Sequence, residues 1–160
     1  MPPATALTTI VDKLVAARVR FVLVGGLAAV SQGAPIMTRD VDIVHQRTED
    51  NVRRLVDALA AIDARCRGRA AGDVVRPTVE ILRGPGHSLL QTRLGPLDVL
   101  GAIEGGRDYD ALLPDAPPID LDGRRVRVLD LAVIVEIKRA SIRPKDQHML
   151  AILEETLRRR

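Results

Sequence analysis

Apolar residues in the first third of the chain alternate between helical spacing and short continuous runs. Helical spacing predicts a helix over residues 5 to about 18, through Leu7, Ile10, Val11, Leu14 and Val15. The run RFVLVG is typical of a short buried strand, and Gly25 and Gly26 interrupt it. LAAVSQG then predicts a short helix that ends at Gly33, and DVDIV predicts the second strand.

The middle of the chain predicts one more helix and then mainly strands. TEDNVRRLVDALAAI predicts a helix with Thr48 as its N-cap and with Glu49 and Asp50 in its first turn. VVRPTVEILRG, HSLLQTRL and GPLDVLG predict three strands, the last two joined by a tight Gly95-Pro96 turn. Residues 104 to 118 predict a surface loop with a short helix, and IDLDGRRVRVLD carries the Asp-Gly signature of a hairpin.

Two helices close the pattern: DLAVIVEIKRAS, and then PKDQHMLAILEETLRRR with Pro144 in its first turn. The order of elements predicts a fold of the α+β or α/β class, a mixed β-sheet flanked by helices and followed by a C-terminal helical pair. We expect a single domain over residues 1–160, with the sheet at about 20–130 and the helical pair at about 130–158.

Composition places the chain among ordinary globular proteins, with 46% hydrophobic and 28% charged residues. No apolar run approaches the roughly 18 residues of a membrane span, and the N-terminus lacks the basic-then-apolar order of a secretory signal. Cys66 is the single cysteine, so neither an intrachain disulfide nor a thiolate metal cluster is expected. We therefore expect a cytoplasmic protein without a membrane partner.

The basic residues are unevenly chosen, with 21 Arg against 3 Lys and a formal net charge of +3. Two arginine clusters, Arg65-Cys66-Arg67-Gly68-Arg69 and Arg158 to Arg160, could bind nucleic acid phosphates. A solvated loop and a solvated tail in a protein from a GC-rich genome are the alternative, which we favour. The near absence of aromatic residues argues against single-strand binding by base stacking.

The chemistry of the chain centres on Asp40 and Asp42, which interrupt an otherwise apolar strand. Residues two apart on a strand point to the same face, with their Cα atoms roughly 6 to 7 Å apart. Two carboxylates at that spacing can converge on divalent cations, and hard oxygen ligands select Mg²⁺ or Mn²⁺. A strand end open to water is the alternative explanation.

The Asp-x-Asp spacing alone is a weak signal, because the chain contains it three times: Asp40/Asp42, Asp108/Asp110 and Asp120/Asp122. The last two pairs fall in a loop and at a hairpin turn, where solvated aspartates are common. The first pair follows a strand, two glycines and a helix, and a helix N-terminus is suited to bind phosphate. This conjunction favours a metal and phosphate site at Asp40 and Asp42.

Gly25-Gly26, a helix and then Thr38-x-Asp40-x-Asp42 resemble the signature of the DNA polymerase β-like nucleotidyltransferase superfamily. Asp98 in LGPLDVLG is similar to the third carboxylate of that pattern, although by itself it could equally lie at a hairpin end. The segment EIKRASIRPKD, with Lys138, Ala140 and Asp146, resembles the nucleotidyltransferase toxins of type IV (abortive-infection) toxin–antitoxin systems.

The resemblance implies a nucleotidyltransferase fold that moves NMP from an NTP such as ATP to a hydroxyl acceptor. Asp40, Asp42 and Asp98 would hold two Mg²⁺ or Mn²⁺ ions, with Asp98 as the proton acceptor. Backbone at Gly25 and Gly26 would approach the phosphates. Thr38 and Arg39 would contact phosphate or shape the turn, Lys138 would contact the triphosphate, and Asp146 would orient the lysine or the substrate.

The acceptor implied by the resemblance is a tRNA 3′ end or a protein hydroxyl, and a cognate antitoxin is an implied partner. A small antibiotic presents the same hydroxyl to this chemistry. Two alternatives of other classes stay open: a catalytically inactive partner or antitoxin with this fold, and a nucleic-acid-binding module. Ile36 and Gly26 favour the inactive partner slightly, because the toxin pattern has Arg and many superfamily members have Ser at these positions. The three retained acidic positions disfavour it.

Overall fold

We describe a computed structural model of the chain over residues 4–70 and 72–160. A mixed seven-stranded sheet forms its centre. The strands are β1 Phe21–Val24, β2 Val41–His45, β3 Arg65–Cys66, β4 His87–Thr92, β5 Gly95–Leu100, β6 Pro118–Leu121 and β7 Arg124–Val128. Their spatial order is β3-β4-β5-β2-β1-β7-β6, in which the β2/β5 and β1/β7 pairs are parallel and the other neighbours are antiparallel.

Helices precede, separate and follow these strands, which confirms the prediction of a mixed sheet flanked by helices with a C-terminal helical pair. They are α1 Ala4–Ala16, α2 Gly25–Ser31, α3 Glu49–Ala61, α4 Val79–Leu82, α5 Tyr109–Leu112, α6 Leu131–Ala140 and α7 Pro144–Arg158. Single 3₁₀ turns cover Glu104–Gly106 and Leu113–Asp115. Within the described ranges, no helix has the length and apolar character that crossing a bilayer requires.

The burial pattern of the strands shows which face of the sheet is covered. All four residues of β1 are buried, whereas β4 and β5 alternate strictly between buried and more exposed positions. Leu90, Leu97 and Val99 are fully buried on one face of β4 and β5. The other face carries Leu89, which is 46% exposed, and its partner Asp98. Polar groups on this second face are therefore open to ligands.

The segment Val74 to Gly84 is not the strand that its β-branched residues predict. Val79–Leu82 form the short helix α4, and the Thr78 hydroxyl caps it by accepting a hydrogen bond from the Ile81 amide at 3.2 Å. Pro77 has no amide hydrogen to give to a strand ladder. The sheet instead gains the two-residue strand β3, which the sequence did not predict and which pairs with β4.

The loop between β4 and β5 lies two residues earlier in the chain than predicted. Gly95 and Pro96 belong to β5 and pair with Thr92 and Gln91 of β4, so Arg93 and Leu94 form the loop. The Thr92 hydroxyl secures this loop, because it accepts from the Leu94 amide at 3.0 Å and donates to the Gly95 carbonyl at 2.8 Å. The predicted Asp-Gly hairpin is confirmed, with Asp122 and Gly123 at φ 51° and 85° between β6 and β7.

Thr48 occupies the predicted N-cap position of α3, but its side chain does not cap the helix. Its hydroxyl donates to the side chain of Gln46 at 3.3 Å. The start of α3 is anchored by the buried side chain of Asn51, whose amide donates to the carbonyls of Arg20 and Gln46 at 3.0 and 2.8 Å. The acidic first turn, Glu49 and Asp50, is as predicted.

Candidate metal and nucleotide site

The sheet brings Asp40, Asp42 and Asp98 together. Parallel pairing sets Asp42 of β2 directly beside Asp98 of β5, and Asp40 lies at the bend just before β2. One carboxylate oxygen from each residue lies within 4.8 Å of the others. Val41 and Ile43, whose side chains alternate with these positions, are fully buried in the core. The structure therefore places the three predicted acidic residues in one cluster, the acidic triad, and Asp98 lies inside a strand rather than at a hairpin end.

The glycine turn packs directly against this triad. Gly25 has a φ of +70°, and a Cβ atom there would lie 2.1 Å from Asp42 Oδ2. A side chain at Gly26 would lie 2.8 Å from Thr38 Oγ1. Thr38 in turn donates its hydroxyl to the Asp40 carbonyl at 3.1 Å. Gly25 is thus required for the backbone to approach Asp42 this closely, and a side chain at Gly26 would have to displace the Thr38 side chain.

Burial and mutual repulsion raise the pKa of two carboxyl groups in the triad. The pKa of Asp42 rises from its ordinary value of 3.8 to about 8, through burial first and then through the charges of Asp40 and Asp98. Burial, and then the Asp98 charge, raise the pKa of Asp40, while the charges of Arg67 and Lys145 oppose the rise. At neutral pH the metal-free triad therefore keeps a proton on Asp42.

The donor set of the triad fits a divalent cation that prefers oxygen. Three carboxylates supply hard anionic oxygens, the ligands of Mg²⁺ and Mn²⁺, and no sulfur or imidazole belongs to the cluster. Bringing three carboxylates together costs free energy that a bound cation would recover, as the raised pKa of Asp42 indicates. The residues present therefore fit the metal site that the sequence pattern implied.

The predicted lysine and its aspartate meet at the junction of α6 and α7. Lys138 Nζ lies 2.8 Å from Asp146 Oδ1, and the Ser141 hydroxyl donates to Asp146 Oδ2 at 2.6 Å. Arg143 Nε lies 3.3 Å from the same Oδ2. Burial opposes the ionisation of Asp146, but the hydrogen bonds from Lys138 and Ser141 and the nearby charges outweigh it and lower its pKa. The Lys138 charge also acts on Asp42, which places this corner beside the triad.

Two arginines near the triad have different environments. Arg39, a predicted phosphate contact, is exposed at the bend before β2. Arg67, which sequence analysis assigned to a solvated cluster, donates from Nη2 to Asp98 Oδ1 and from Nη1 to the Leu90 carbonyl, both at 2.7 Å. No sequence pattern indicates this contact, since Arg67 follows directly after β3, a strand of only two residues.

Comparison with protein-family models and with characterised sequences gives no match. Solved structures do match. The lincosamide antibiotic adenylyltransferase LnuA, determined with lincomycin bound, aligns over 97% of this chain and 98% of its own, at 15% identity and a TM-score of 0.67. The antibiotic-resistance factor ANT(2″)-Ia, determined with adenylyl-2″-tobramycin, aligns over 96% and 88%, at 13% identity and a TM-score of 0.59.

A third similar structure is a Thermotoga maritima protein assigned as a nucleotidyltransferase, which aligns over 98% of this chain and 92% of its own. The identity is 17% and the TM-score 0.57. At these identities the likeness concerns the fold, and a closer relation to the type IV toxins stays a prediction. The chain shares the fold of these structures, and it is the fold that the resemblance at Gly25-Gly26 and the spaced aspartates implied.

Proposed function

We propose that the protein is a metal-dependent nucleotidyltransferase that moves NMP from an NTP to a hydroxyl group. The observation that supports this most strongly is the convergence of Asp40, Asp42 and Asp98 within 4.8 Å, beside Gly25, where a side chain would collide with Asp42. The similar structures support the same reaction class, because two of them are described as adenylyltransferase or hold an adenylylated antibiotic.

The triad would hold Mg²⁺ or Mn²⁺, which when bound neutralises phosphate charge and lowers the pKa of the attacking hydroxyl. Asp98 would accept the proton of that hydroxyl, because its carboxylate faces the open side of the sheet. The backbone at Gly25 and Gly26 would let the phosphates approach β2. Lys138, held by Asp146, would carry a positive charge toward them.

We propose a small polyhydroxylated molecule as the first acceptor to test. The alignment with LnuA covers 97% of this chain and 98% of the other, so the two chains are of similar extent. LnuA is described as acting on a lincosamide antibiotic, and the ANT(2″)-Ia complex contains adenylylated tobramycin.

A second candidate acceptor is a tRNA 3′ end or a protein hydroxyl, in a toxin–antitoxin pair with a cognate antitoxin. The corner of Lys138, Ser141 and Asp146 favours it, because these residues form the segment that resembles the type IV toxins. An inactive partner subunit with this fold would instead show no transfer to any acceptor.

The proposal is tested by incubating the protein with each α-labelled NTP and Mg²⁺. Separate reactions contain lincosamides and aminoglycosides, total tRNA, or a cell extract. We expect label to move to one acceptor class in the wild type and not in Asp98→Asn, with EDTA abolishing it. A matched control is Asp120→Asn, which changes an exposed aspartate at the β6–β7 hairpin. Transfer by Asp98→Asn at the wild-type rate would contradict the proposal.

A further inference from the structure

Arg67 is the one arginine of its cluster whose side chain is tied into the sheet, within the part of the chain that the structure describes. Its backbone amide donates to the Leu89 carbonyl at 2.8 Å, and its guanidinium bridges the Leu90 carbonyl and Asp98 Oδ1. The side chain is 30% exposed and that of Asp98 is 16% exposed. This ion pair is therefore partly shielded from water, where charges interact more strongly than on the surface.

The other two arginines of the cluster behave differently. Arg65 is exposed and forms an ion pair with Asp63, itself 44% exposed. Arg69 is exposed in the loop that follows Arg67. The solvated-loop interpretation made from the sequence therefore fits Arg65 and Arg69, and it is wrong for Arg67.

Arg67 supplies positive charge where the triad needs it. Lys138 and Lys145 also act on the triad through their charges, and the amine of Lys138 lies 2.8 Å from Asp146. The guanidinium of Arg67 contacts a triad oxygen directly, at 2.7 Å. A divalent ion shared by the triad would need the Asp98 carboxylate as well, and two cations that compete for one carboxylate repel each other.

We propose that Arg67 is a positioning residue that serves as the resident cation of the metal-free triad and leaves Asp98 when a divalent metal binds. This inference rests on the proposed metal site and goes beyond it, since it assigns Arg67 a role opposed to metal affinity. The second hydrogen bond, from Nη1 to the Leu90 carbonyl, gives the guanidinium a partner that it keeps when Asp98 turns to the metal.

The proposed exchange, in which a divalent metal replaces Arg67 at Asp98, is tested by measuring Mn²⁺ affinity. The electron paramagnetic resonance signal of free Mn²⁺ gives this affinity for the wild type, Arg67→Gln and Arg69→Gln. Removal of a like charge from beside the metal position should tighten Mn²⁺ binding on the order of tenfold in Arg67→Gln. The exposed control Arg69→Gln should bind as the wild type does. A purely structural arginine would predict unchanged or weaker Mn²⁺ binding in Arg67→Gln, and that result would overturn the exchange.

Thermal unfolding without metal provides the second measurement. Arg67→Gln should lower Tm in the wild-type background and have little effect in an Asp98→Asn background, where the ion pair is already gone. An equal loss of Tm in both backgrounds would overturn the charge-balancing role. If Arg67→Gln does not fold, Arg67→Met, which keeps an apolar stem but carries no charge, should still bind Mn²⁺ more tightly than the wild type.

The same titration separates this inference from the proposed function. Mn²⁺ binding with equal affinity in the wild type and Arg67→Gln would overturn the exchange and leave the metal site intact. No Mn²⁺ binding by either protein would overturn the metal site, and the exchange with it.

Discussion

The carboxylates of the acidic triad and the carboxylate of Asp146 are neutralised by neighbouring basic groups to very different degrees. In the triad, three carboxylates lie within 4.8 Å of one another, Arg67 forms an ion pair with Asp98, and the pKa of Asp42 rises to about 8. At the α6–α7 junction, Asp146 alone is bound by Lys138, Ser141 and Arg143, and its pKa is lowered. The first group has unbalanced charge that a metal would neutralise, whereas the second is already satisfied and holds Lys138 in place.

The largest expected effect is on catalysis by the triad. Asp42→Asn or Asp98→Asn should reduce NMP transfer on the order of a thousandfold or more, because the site loses an anionic ligand for the metal. The fold should survive, since an amide relieves repulsion among the carboxylates. Single-turnover transfer with labelled NTP and circular dichroism check the two parts. A folded Asp42→Asn protein with wild-type activity would contradict the assignment of the triad as the metal site and would leave it no different from Asp146.

The next effect concerns the glycine turn. Gly25→Ala should reduce transfer on the order of a hundredfold, because a Cβ atom 2.1 Å from Asp42 Oδ2 must displace that carboxylate. The matched control is Gly123→Ala in the β6–β7 turn, which has a φ of +85° and open space around it. Both variants carry similar backbone strain of about 1 to 2 kcal/mol, but Gly123→Ala should keep its activity. Equal activities of Gly25→Ala and Gly123→Ala would contradict the close approach of Gly25 to Asp42.

The satisfied carboxylate should behave in the opposite way when its charge is removed. Asp146→Asn should destabilise the protein by about 2 kcal/mol in urea unfolding at pH 7, because Lys138 and Ser141 lose a charged, buried partner. Asp42→Asn under the same metal-free conditions should be neutral or stabilising. The control Asp63→Asn breaks two ion pairs with exposed arginines and should change stability little. A more stable Asp146→Asn variant would contradict this assignment.

The smallest effect is the dependence of metal-free stability on pH. The folded protein keeps a proton on Asp42 up to about pH 8, whereas the unfolded chain loses it near 3.8. Raising the pH through this window therefore favours unfolding, with a slope below about 1.4 kcal/mol per pH unit. The free energy of unfolding should be compared between pH 7 and 9. This range lies above the ordinary pKa of 6.5 for His45, whose pKa in the folded protein is lowered by burial. In Asp42→Asn the free energy of unfolding should fall less steeply with pH than in the wild type. An equal slope in both proteins would contradict the raised pKa of Asp42.

The sequence pattern predicted a metal site at Asp40 and Asp42, because both interrupt an apolar strand that follows two glycines and a helix. Asp98 was added through the resemblance to the superfamily, since by itself it could equally lie at a hairpin end. The mixed sheet, its hairpin and the C-terminal helices were predicted for a similar reason, since their apolar periodicity extends over many residues. The helix α4 was mistaken for a strand because Val and Ile favour strands, and the local helix cap formed by the Thr78 hydroxyl opposes that preference.

Arg67 could not be predicted, because its role depends on contacts between distant segments. Its backbone amide bonds to β4, and its side chain reaches Asp98 on β5, 31 residues further along the chain. A strand of two residues leaves no periodic signal, and an arginine-rich cluster is typical of a solvated loop. Sequence patterns therefore identified the residues that carry negative charge and missed the residue that balances it.

The most direct test of the account is a crystal structure of the wild-type protein with Mn²⁺ and a non-hydrolysable NTP. We expect anomalous density from Mn²⁺ bound to oxygens of Asp40, Asp42 and Asp98, with the phosphates beside Gly25 and Gly26. Metal and nucleotide bound elsewhere on the protein, with the triad carboxylates still held by Arg67 and a shared proton, would contradict the account.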